Sequence, residues 1–239
     1  MKTFNIGLVG CGFMGKTHTF GYKTIPLYYE NLPFKINLKC LCASGEESAK
    51  AAAQRLGYEN YTADFNDIIN DDTIDIVDIC TPNYLHVKMA ADAVRAGKSI
   101  NVEKPLSVSL ADTGELTDAI KETNAVNMMC MSYRFKPAVR FAKWIMENNL
   151  IGDIISINVE YLKSSAFMEG RRLDWRFVKK YAGTGVLGDL GVHLIDLATF
   201  LAGDLKKVCA QTKIVVKERK KLDSEEYAPV ETDDYCSFI

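Results

Sequence analysis

An apolar run over residues 4–9 leads directly into Gly10-Cys11-Gly12-Phe13-Met14-Gly15, and a helical stretch follows to about Thr24. No other feature restricts the fold so strongly. The first glycine permits a tight turn, the second lets backbone approach a bound group, and the third lets the helix pack close to the strand. A helix opening at that point offers its unpaired N–H groups to an anion such as a pyrophosphate. A glycine turn of purely structural purpose has the same spacing, so the surrounding pattern has to decide between them.

Strand and helix patterns keep alternating after the loop. Residues 26–34 carry two prolines and three aromatics and read as an insertion loop. Residues 36–42 read as a strand, and the Ala-rich segment 46–56 as a helix closed by Gly57. A short helix at about 64–70, a strand at 74–80 and a helix at 83–96 come next. A strand at 98–103 and a helix at 109–123 complete the series. Strands separated by helices of this length imply βαβ units, a doubly wound parallel sheet and helices on both faces. The first domain is therefore expected over residues 1–124, as a Rossmann-type unit that binds NAD or NADP.

From about residue 125 the pattern changes. A strand (126–131), a helix ending near Asn149 and a longer alternating strand (154–163) come first. A charged, aromatic loop (164–182), an apolar helix (about 186–202) and a strand (207–217) follow. These suit an α+β domain over 125–239 with an open, mainly antiparallel sheet. The final Tyr235-Cys236-Ser237-Phe238-Ile239 resembles the start of a buried strand, so the chain reads as a fragment with that sheet incomplete.

Composition narrows the class of function. Lys plus Arg is 29 and Asp plus Glu 31, a net charge of −2, which argues against nucleic-acid binding. No apolar run approaches the roughly 20 residues of a membrane span, and the N-terminus lacks a signal-peptide pattern. The cysteines at 11, 40, 42, 80, 130, 209 and 236 form no CxxC pair. Neither a disulfide framework nor a zinc pattern is expected, and the chain reads as cytoplasmic.

Three further segments give the chain a family resemblance. Thr81-Pro82-Asn83-Tyr84-Leu85-His86 follows one strand, and Glu103-Lys104-Pro105 follows the next. Gly183-Thr184-Gly185-Val186-Leu187-Gly188-Asp189-Leu190-Gly191-Val192-His193-Leu194-Ile195-Asp196 opens the late apolar helix. With the glycine loop, Tyr133-Arg134-Phe135 and Asp174-Trp175-Arg176, this set resembles the glucose–fructose oxidoreductase / inositol dehydrogenase / rhizopine-catabolism (Gfo/Idh/MocA) family. The resemblance implies an NAD(P)-dependent oxidoreductase that acts on a hydroxyl or ketone of a sugar, polyol or related molecule. It also implies a homo-oligomer, dimer or tetramer. The sequence departs from the family pattern at Thr184, where a glycine is common, and at the end of the second strand, where an acidic residue is usual.

That second departure bears on the cofactor. A carboxylate there would bind the adenine-ribose hydroxyls of NAD. Here the strand ends Cys42-Ala43-Ser44-Gly45, which removes repulsion towards a 2′-phosphate and offers a hydroxyl to it, favouring NADP. Gly10, Gly12, Phe13, Met14, Gly15, Ala43, Ser44, Thr81, Pro82, Asn83, His86, Glu103 and Lys104 are the expected cofactor contacts.

The resemblance places Lys104 at the reacting hydroxyl, where an ammonium stabilises alkoxide character, with His193 as proton acceptor or relay. Asp189 then binds or orients substrate. At about 100° per residue, Asp189, His193 and Asp196 fall within a stripe roughly 60° wide, apart from Leu187, Leu190, Leu194, Leu197 and Leu201. Tyr133, Arg134, Trp175 and Arg176 are the remaining substrate candidates, since Arg binds hydroxyls or carboxylates and aromatic faces stack on sugar rings. Plainer readings exist for several of these: a helix cap for Asn83, a satisfied core ring for His86, a structural His18. No metal site is expected. Two other functions fit the same motifs: an NAD-dependent glycosidase of the family and a non-catalytic nucleotide sensor.

Overall fold

Period-two burial builds the first part of the molecule. The computed structural model describes residues 1–239, and in its first strand (β1, Lys2–Val9) Ile6 and Leu8 enter one apolar cluster while Val9 enters another. The two clusters occupy the two faces of a six-stranded parallel sheet of order β3-β2-β1-β4-β5-β6. Its other strands are β2 (Phe34–Cys42), β3 (Asn60–Thr62), β4 (Ile76–Ile79), β5 (Ser99–Val102) and β6 (Asn127–Met129). The strand order reverses direction between β1 and β4, and in such sheets ligands bind beyond the carboxyl ends of the strands at that switch point. Five helices connect them: α1 (Phe13–Tyr28), α2 (Glu46–Leu56), α3 (Phe65–Ile69), α4 (His86–Arg95) and α5 (Thr113–Thr123). Val77, Ile79, Ala90, Ala91, Val94 and Ile100 are buried on one face, and Leu41, Ala49 and Ala53 on the other. Each fully buried large aliphatic side chain contributes about 1.5–3 kcal/mol.

The doubly wound expectation holds, with local corrections. Helix α1 continues through Pro26 to Tyr28 instead of stopping near Thr24, so the expected insertion loop shrinks to 29–33. Pro26 sits in the last turn, where it removes one i→i−4 bond and only two helical residues follow it. Strand β3 was not foreseen; it is three residues long and pairs with the end of β2. Strand β6 pairs in parallel with β5. The first compact unit consequently runs Met1–Cys130, past residue 124, and the second is Met131–Ile239.

The second unit is less regular. It contains α6 (Pro137–Glu147), α7 (Lys179–Ala182) and α8 (Val192–Ala202), the last preceded by a π turn over Leu187–Gly191. Strands β7 (Ala210–Lys213), β8 (Glu218–Lys220), β9 (Tyr227–Pro229) and β10 (Tyr235–Phe238) form two antiparallel pairs, β7 with β10 and β8 with β9. The expected antiparallel character holds, here as two two-stranded pairs. Residues 154–163 alternate in sequence but are irregular, because no strand lies beside them to take their backbone bonds; Ile155 is 98% exposed. Only 210–213 of the expected strand 207–217 is regular, whereas the terminal segment does pair, through β10. The stretch Lys179–Ala202, from α7 through α8, spans 24 residues and contains an 18-residue window of mean hydropathy 1.5, long and apolar enough to cross a membrane by length and composition. That corrects the expectation that no such run exists. Apolar length is weak evidence here, because the stretch carries Asp189, His193 and Asp196, costly groups in hydrocarbon.

Polar clamps organise this unit. The Asp233 carboxylate accepts the N–H groups of Gly185 and Leu187, both at 2.7 Å, and its carbonyl accepts that of Val186. The helix beginning there has its first orphan donors satisfied from 46–48 residues away. A Cβ on Gly185 would lie 1.8 Å from the Asp233 carbonyl oxygen, so this contact needs glycine. Asp234 accepts the N–H groups of Val215 and Val216 in the same manner. The buried Arg219 guanidinium donates to the carbonyls of Arg171 and Ala166 and lies 4.3 Å over the Phe177 ring.

Candidate functional site

The first unit gathers its polar residues at the carboxyl ends of the strands. Gly10, with φ +97°, turns the chain out of β1, and a Cβ there would meet the Cys80 carbonyl oxygen at 2.6 Å. A Cβ on Gly15 would lie 2.1 Å from the Gly10 oxygen. Gly12 differs: it has nothing within 4 Å of a Cβ, and it is the N-cap of α1 without a side-chain cap bond. Two glycines therefore serve packing, while the middle one borders open space beside a helix N-terminus with no acidic residue in its first turn. Such a cradle suits a phosphate group. Phe13 is exposed and Met14 half-buried at the same turn.

The other expected cofactor positions line neighbouring strand ends. Ala43 is buried and Ser44 exposed just past β2. Thr81 follows β4, and its hydroxyl is buried without a hydrogen-bond partner in the protein. Pro82 is the N-cap of a short 3-10 turn, Asn83–Leu85, that leads into α4. The expected Asn83 cap is not what starts α4, whose N-cap is Leu85. His86 is a correction. It is fully buried, with its two ring nitrogens 2.8 Å and 2.9 Å from the carbonyls of Pro105 and Thr81, and burial pushes its pKa down. It braces the loops after β4 and β5 and has no face to offer a cofactor.

A network that sequence reasoning missed lies beneath this edge. Alternation puts Ile76, Asp78 and Cys80 on one face of β4 and its extension, the face that α1 covers. His18 and Tyr22, one turn apart on α1, both reach Asp78. The Asp78 carboxylate, fully buried, accepts from His18 Nδ1 at 2.9 Å, the Tyr22 hydroxyl at 2.9 Å and Asn101 Nδ2 at 2.9 Å. His18 Nε2 lies 3.1 Å from Glu103 Oε1, and Glu103 Oε2 accepts the Lys104 backbone N–H at 3.0 Å. The sequence signal was a lone acid inside the apolar run Ile76-Val77-Asp78-Ile79, which burial obliges to be paired.

In the second unit, the Tyr133 ring stacks on His193, centroids 4.4 Å apart and planes 10° from parallel. The Tyr133 hydroxyl donates to the Tyr161 hydroxyl at 2.8 Å, and burial with that bond pushes the Tyr133 pKa up to about 12. Arg134 was expected to bind substrate. Its Nε instead donates to both Asp196 oxygens at 2.8 Å, and a terminal nitrogen approaches Asp196 to 2.5 Å. His193 and Asp196 are buried, whereas Asp189 is exposed. The expected single stripe thus splits, because the π turn changes the residues per turn between Asp189 and His193. Asp174 caps a 3-10 turn by accepting the Arg176 N–H, and the Arg176 guanidinium lies 4.4 Å over the half-buried Trp175 ring. Arg176 is exposed.

Residues 4–131 match the model of an oxidoreductase family with an NAD-binding Rossmann fold, Gfo/Idh/MocA, and residues 139–239 match that family's C-terminal domain. The chain is 40% identical to levoglucosan dehydrogenase of Pseudarthrobacter phenanthrenivorans over 92% of its own length and 56% of that protein's. It is 26% identical to D-apiose dehydrogenase of Paraburkholderia graminis, over 90% of this chain and 54% of the relative. A solved levoglucosan dehydrogenase, in complex with NADH and levoglucosan, superposes with a TM-score of 0.95 at 38% identity, covering 99% of this chain and 63% of that one. The chain thus spans somewhat over half the length of the relatives it matches. On both the domain matches and the 40% identity, the chain belongs to the Gfo/Idh/MocA oxidoreductase family.

Proposed function

We propose that the protein is an NAD(P)-dependent oxidoreductase acting on a hydroxyl or ketone of a sugar or polyol, with an anhydrosugar such as levoglucosan the first substrate to try. The observation that carries this reading is the open Gly12 cradle at the N-terminus of α1, at the sheet's switch point, in a chain that also has Lys104 at the end of β5. Similarity to a dehydrogenase solved with NADH and levoglucosan supports the substrate class.

Gly10, Gly12 and Gly15, with the N–H groups opening at Phe13 and Met14, would hold the pyrophosphate. Ala43 and Ser44 would border the adenine ribose. Thr81, whose buried hydroxyl lacks a partner, and Asn83 would line the far half of the dinucleotide. When bound, the nicotinamide supplies hydride acceptance and donation. The chain's task is proton handling and orientation. Lys104 stabilises alkoxide character on the reacting oxygen, His193 accepts or relays the hydroxyl proton, and Asp189 orients the substrate. Tyr133 holds His193 by ring stacking, and Trp175 offers an aromatic face to a sugar.

The finer cofactor choice rests on Ala43 and Ser44, which favour NADP by omitting a carboxylate. The NADH carried by the solved relatives favours the opposite choice. A cytoplasmic location and a homo-oligomer belong to the same proposal. All seven cysteines are free thiols, which suits a reducing compartment, and light scattering checks the oligomer. In an assay with levoglucosan and NAD+ or NADP+, Lys104→Ala is expected to abolish turnover while nucleotide binding persists. Lost binding with unchanged residual turnover would remove Lys104 from its role, and sugar hydrolysis without NADH accumulation would favour the glycosidase.

A further inference from the structure

The His18 network is not used by the chemistry above, yet it ends on Lys104. Within the first unit, Asp78, Glu103, Cys80 and Cys130 converge on one ring from β4, β5 and the ends of their neighbours, with Tyr22 and Asn101 bonded to Asp78. We propose that His18 is a positioning residue for the reaction at Lys104: anchored on Asp78 by one ring nitrogen and on Glu103 by the other, it fixes the carboxylate that holds the Lys104 backbone N–H. This rests on the reading of Lys104 as the proton-handling group.

The hydrogen bonds themselves set the ring's charge. A carboxylate accepts and does not donate, so a ring facing carboxylates at both nitrogens donates from both and is an imidazolium. Burial alone would push the His18 pKa down, but the bonds to Asp78, Cys80 and Glu103, with the Cys130 thiol nearby, outweigh it and hold the pKa far above the ordinary histidine range. The surrounding groups are arranged to keep one positive charge between two negative ones. Burial pushes the Cys80 thiol up to about 12 and raises Cys130, so both stay protonated. Burial and the Asp78 charge likewise hold Tyr22 as a phenol that donates. The same atoms would ligate a soft cation only after the imidazolium and a thiol had given up protons that this arrangement retains.

The clamp has consequences for geometry. Glu103 Oε1 is held by the ring and Oε2 by the Lys104 amide, so the carboxylate cannot turn without breaking one of the two. Asp78 in turn is held by three donors from two elements, which leaves His18 a fixed support. The backbone at Lys104 is thereby tied to α1, the helix that the glycine loop opens, and to β4. Neither His18 nor Glu103 needs to touch substrate for this.

The test is a double-mutant cycle in the full chain, with His18→Gln, Glu103→Gln and the double variant assayed on levoglucosan. Each single variant is expected to lower kcat about 30-fold with KM for the nucleotide changed less than about 3-fold, the signature of lost orientation. Because His18 acts through Glu103, the double variant should lose about as much as the worse single variant. Multiplied losses or an unchanged kcat would overturn the proposal. Tyr22→Phe serves as the control: it removes a bond from the same network without touching Glu103, and kcat should stay within about twofold of wild type. Two readouts do not need turnover. In the wild-type chain the His18 ring nitrogens should both remain protonated at about pH 8 by nitrogen NMR, and a neutral ring there would overturn the proposal. In Glu103→Gln the Lys104 amide should exchange hydrogen at least about 10-fold faster while the Leu8 amide is unchanged, and equal protection of Lys104 would overturn it. Absent wild-type turnover combined with these NMR results would count against the proposed function and leave the clamp standing.

Discussion

The two units solve the problem of holding polar residues by opposite means. In the first, an apolar parallel sheet does the folding, and the polar groups are collected at one end of it and bonded to each other: Asp78, His18 and Glu103 pair across α1, β4 and β5. In the second, side chains clamp backbone. Asp233 and Asp234 cap segments far away in sequence, and Arg219 ties two loop carbonyls together. The first arrangement yields a rigid edge on which a reactive side chain can be placed. The second lets irregular chain carry side chains such as Tyr133, Trp175 and Asp189 without a large sheet beneath them. The difference teaches that a site can be built on repeated secondary structure or on a few irreplaceable contacts, and that the second kind fails at single positions.

The sharpest break of this comparison comes at glycines. Gly185→Ala puts a methyl group 1.8 Å from the Asp233 oxygen, and Gly15→Ala one 2.1 Å from the Gly10 oxygen. Each should cost at least about 3 kcal/mol, beyond ordinary overpacking. Limited proteolysis should show the cleavages concentrated in the unit that carries the change. Cleavage spread equally over both units by Gly185→Ala would contradict the local character of the Asp233 clamp.

Next in size is an asymmetry at the Arg134–Asp196 pair. The Asp196 side chain is 7% exposed and that of Arg134 40%. Removing the arginine strands a buried carboxylate, so Arg134→Ala should cost about 2–3 kcal/mol. Asp196→Ala leaves a cation that water can reach and should cost less than about 1 kcal/mol. Equal losses in thermal melts would show that the pair is solvated on both sides.

The pH dependence of stability separates the units more gently. His18 has a folded pKa raised above its unfolded value of about 6.5, so the stability it contributes is complete below that value and falls as pH rises towards the folded pKa. Above about pH 7.5 the wild type should lose up to about 1.4 kcal/mol per pH unit relative to His18→Gln, in an unfolding series at fixed salt. Identical slopes for the two proteins would mean that His18 titrates normally and that the Asp78–Glu103 clamp is not charged as described.

These expectations also explain what the sequence could disclose. The first unit was legible because its signals are periodic: apolar alternation in 4–9 and 74–80, glycine at 10, 12 and 15, and helix stops at Gly57 and Gly97. What escaped was non-periodic. His18 was read as structural, and Asp78 passed unnoticed within an apolar strand, because pairing across 60 residues leaves no local spacing. His86 was given a cofactor role from its place near the strand end, and burial between two carbonyls took it away. The second unit was misread where alternation lacked a partner, as at 154–163, and where a π turn broke the helical count between Asp189 and His193. The Asp233 and Asp234 clamps fall in a stretch with no recognisable motif, and only their bonds to 185–187 and 215–216 reveal them.

The central claim is that the Gly12 cradle is a dinucleotide site and not a structural turn. Calorimetric titration of NADH and NADPH into the wild-type chain and Gly12→Ala tests it most directly. A Cβ at Gly12 meets nothing in the protein, so Gly12→Ala should melt within about 0.5 kcal/mol of wild type. The wild type should bind at least one nucleotide in the micromolar range, about −8 kcal/mol, and the variant should bind it at least about 10-fold more weakly. A wild type that binds neither nucleotide, or a variant that binds as well as the wild type, would contradict the account.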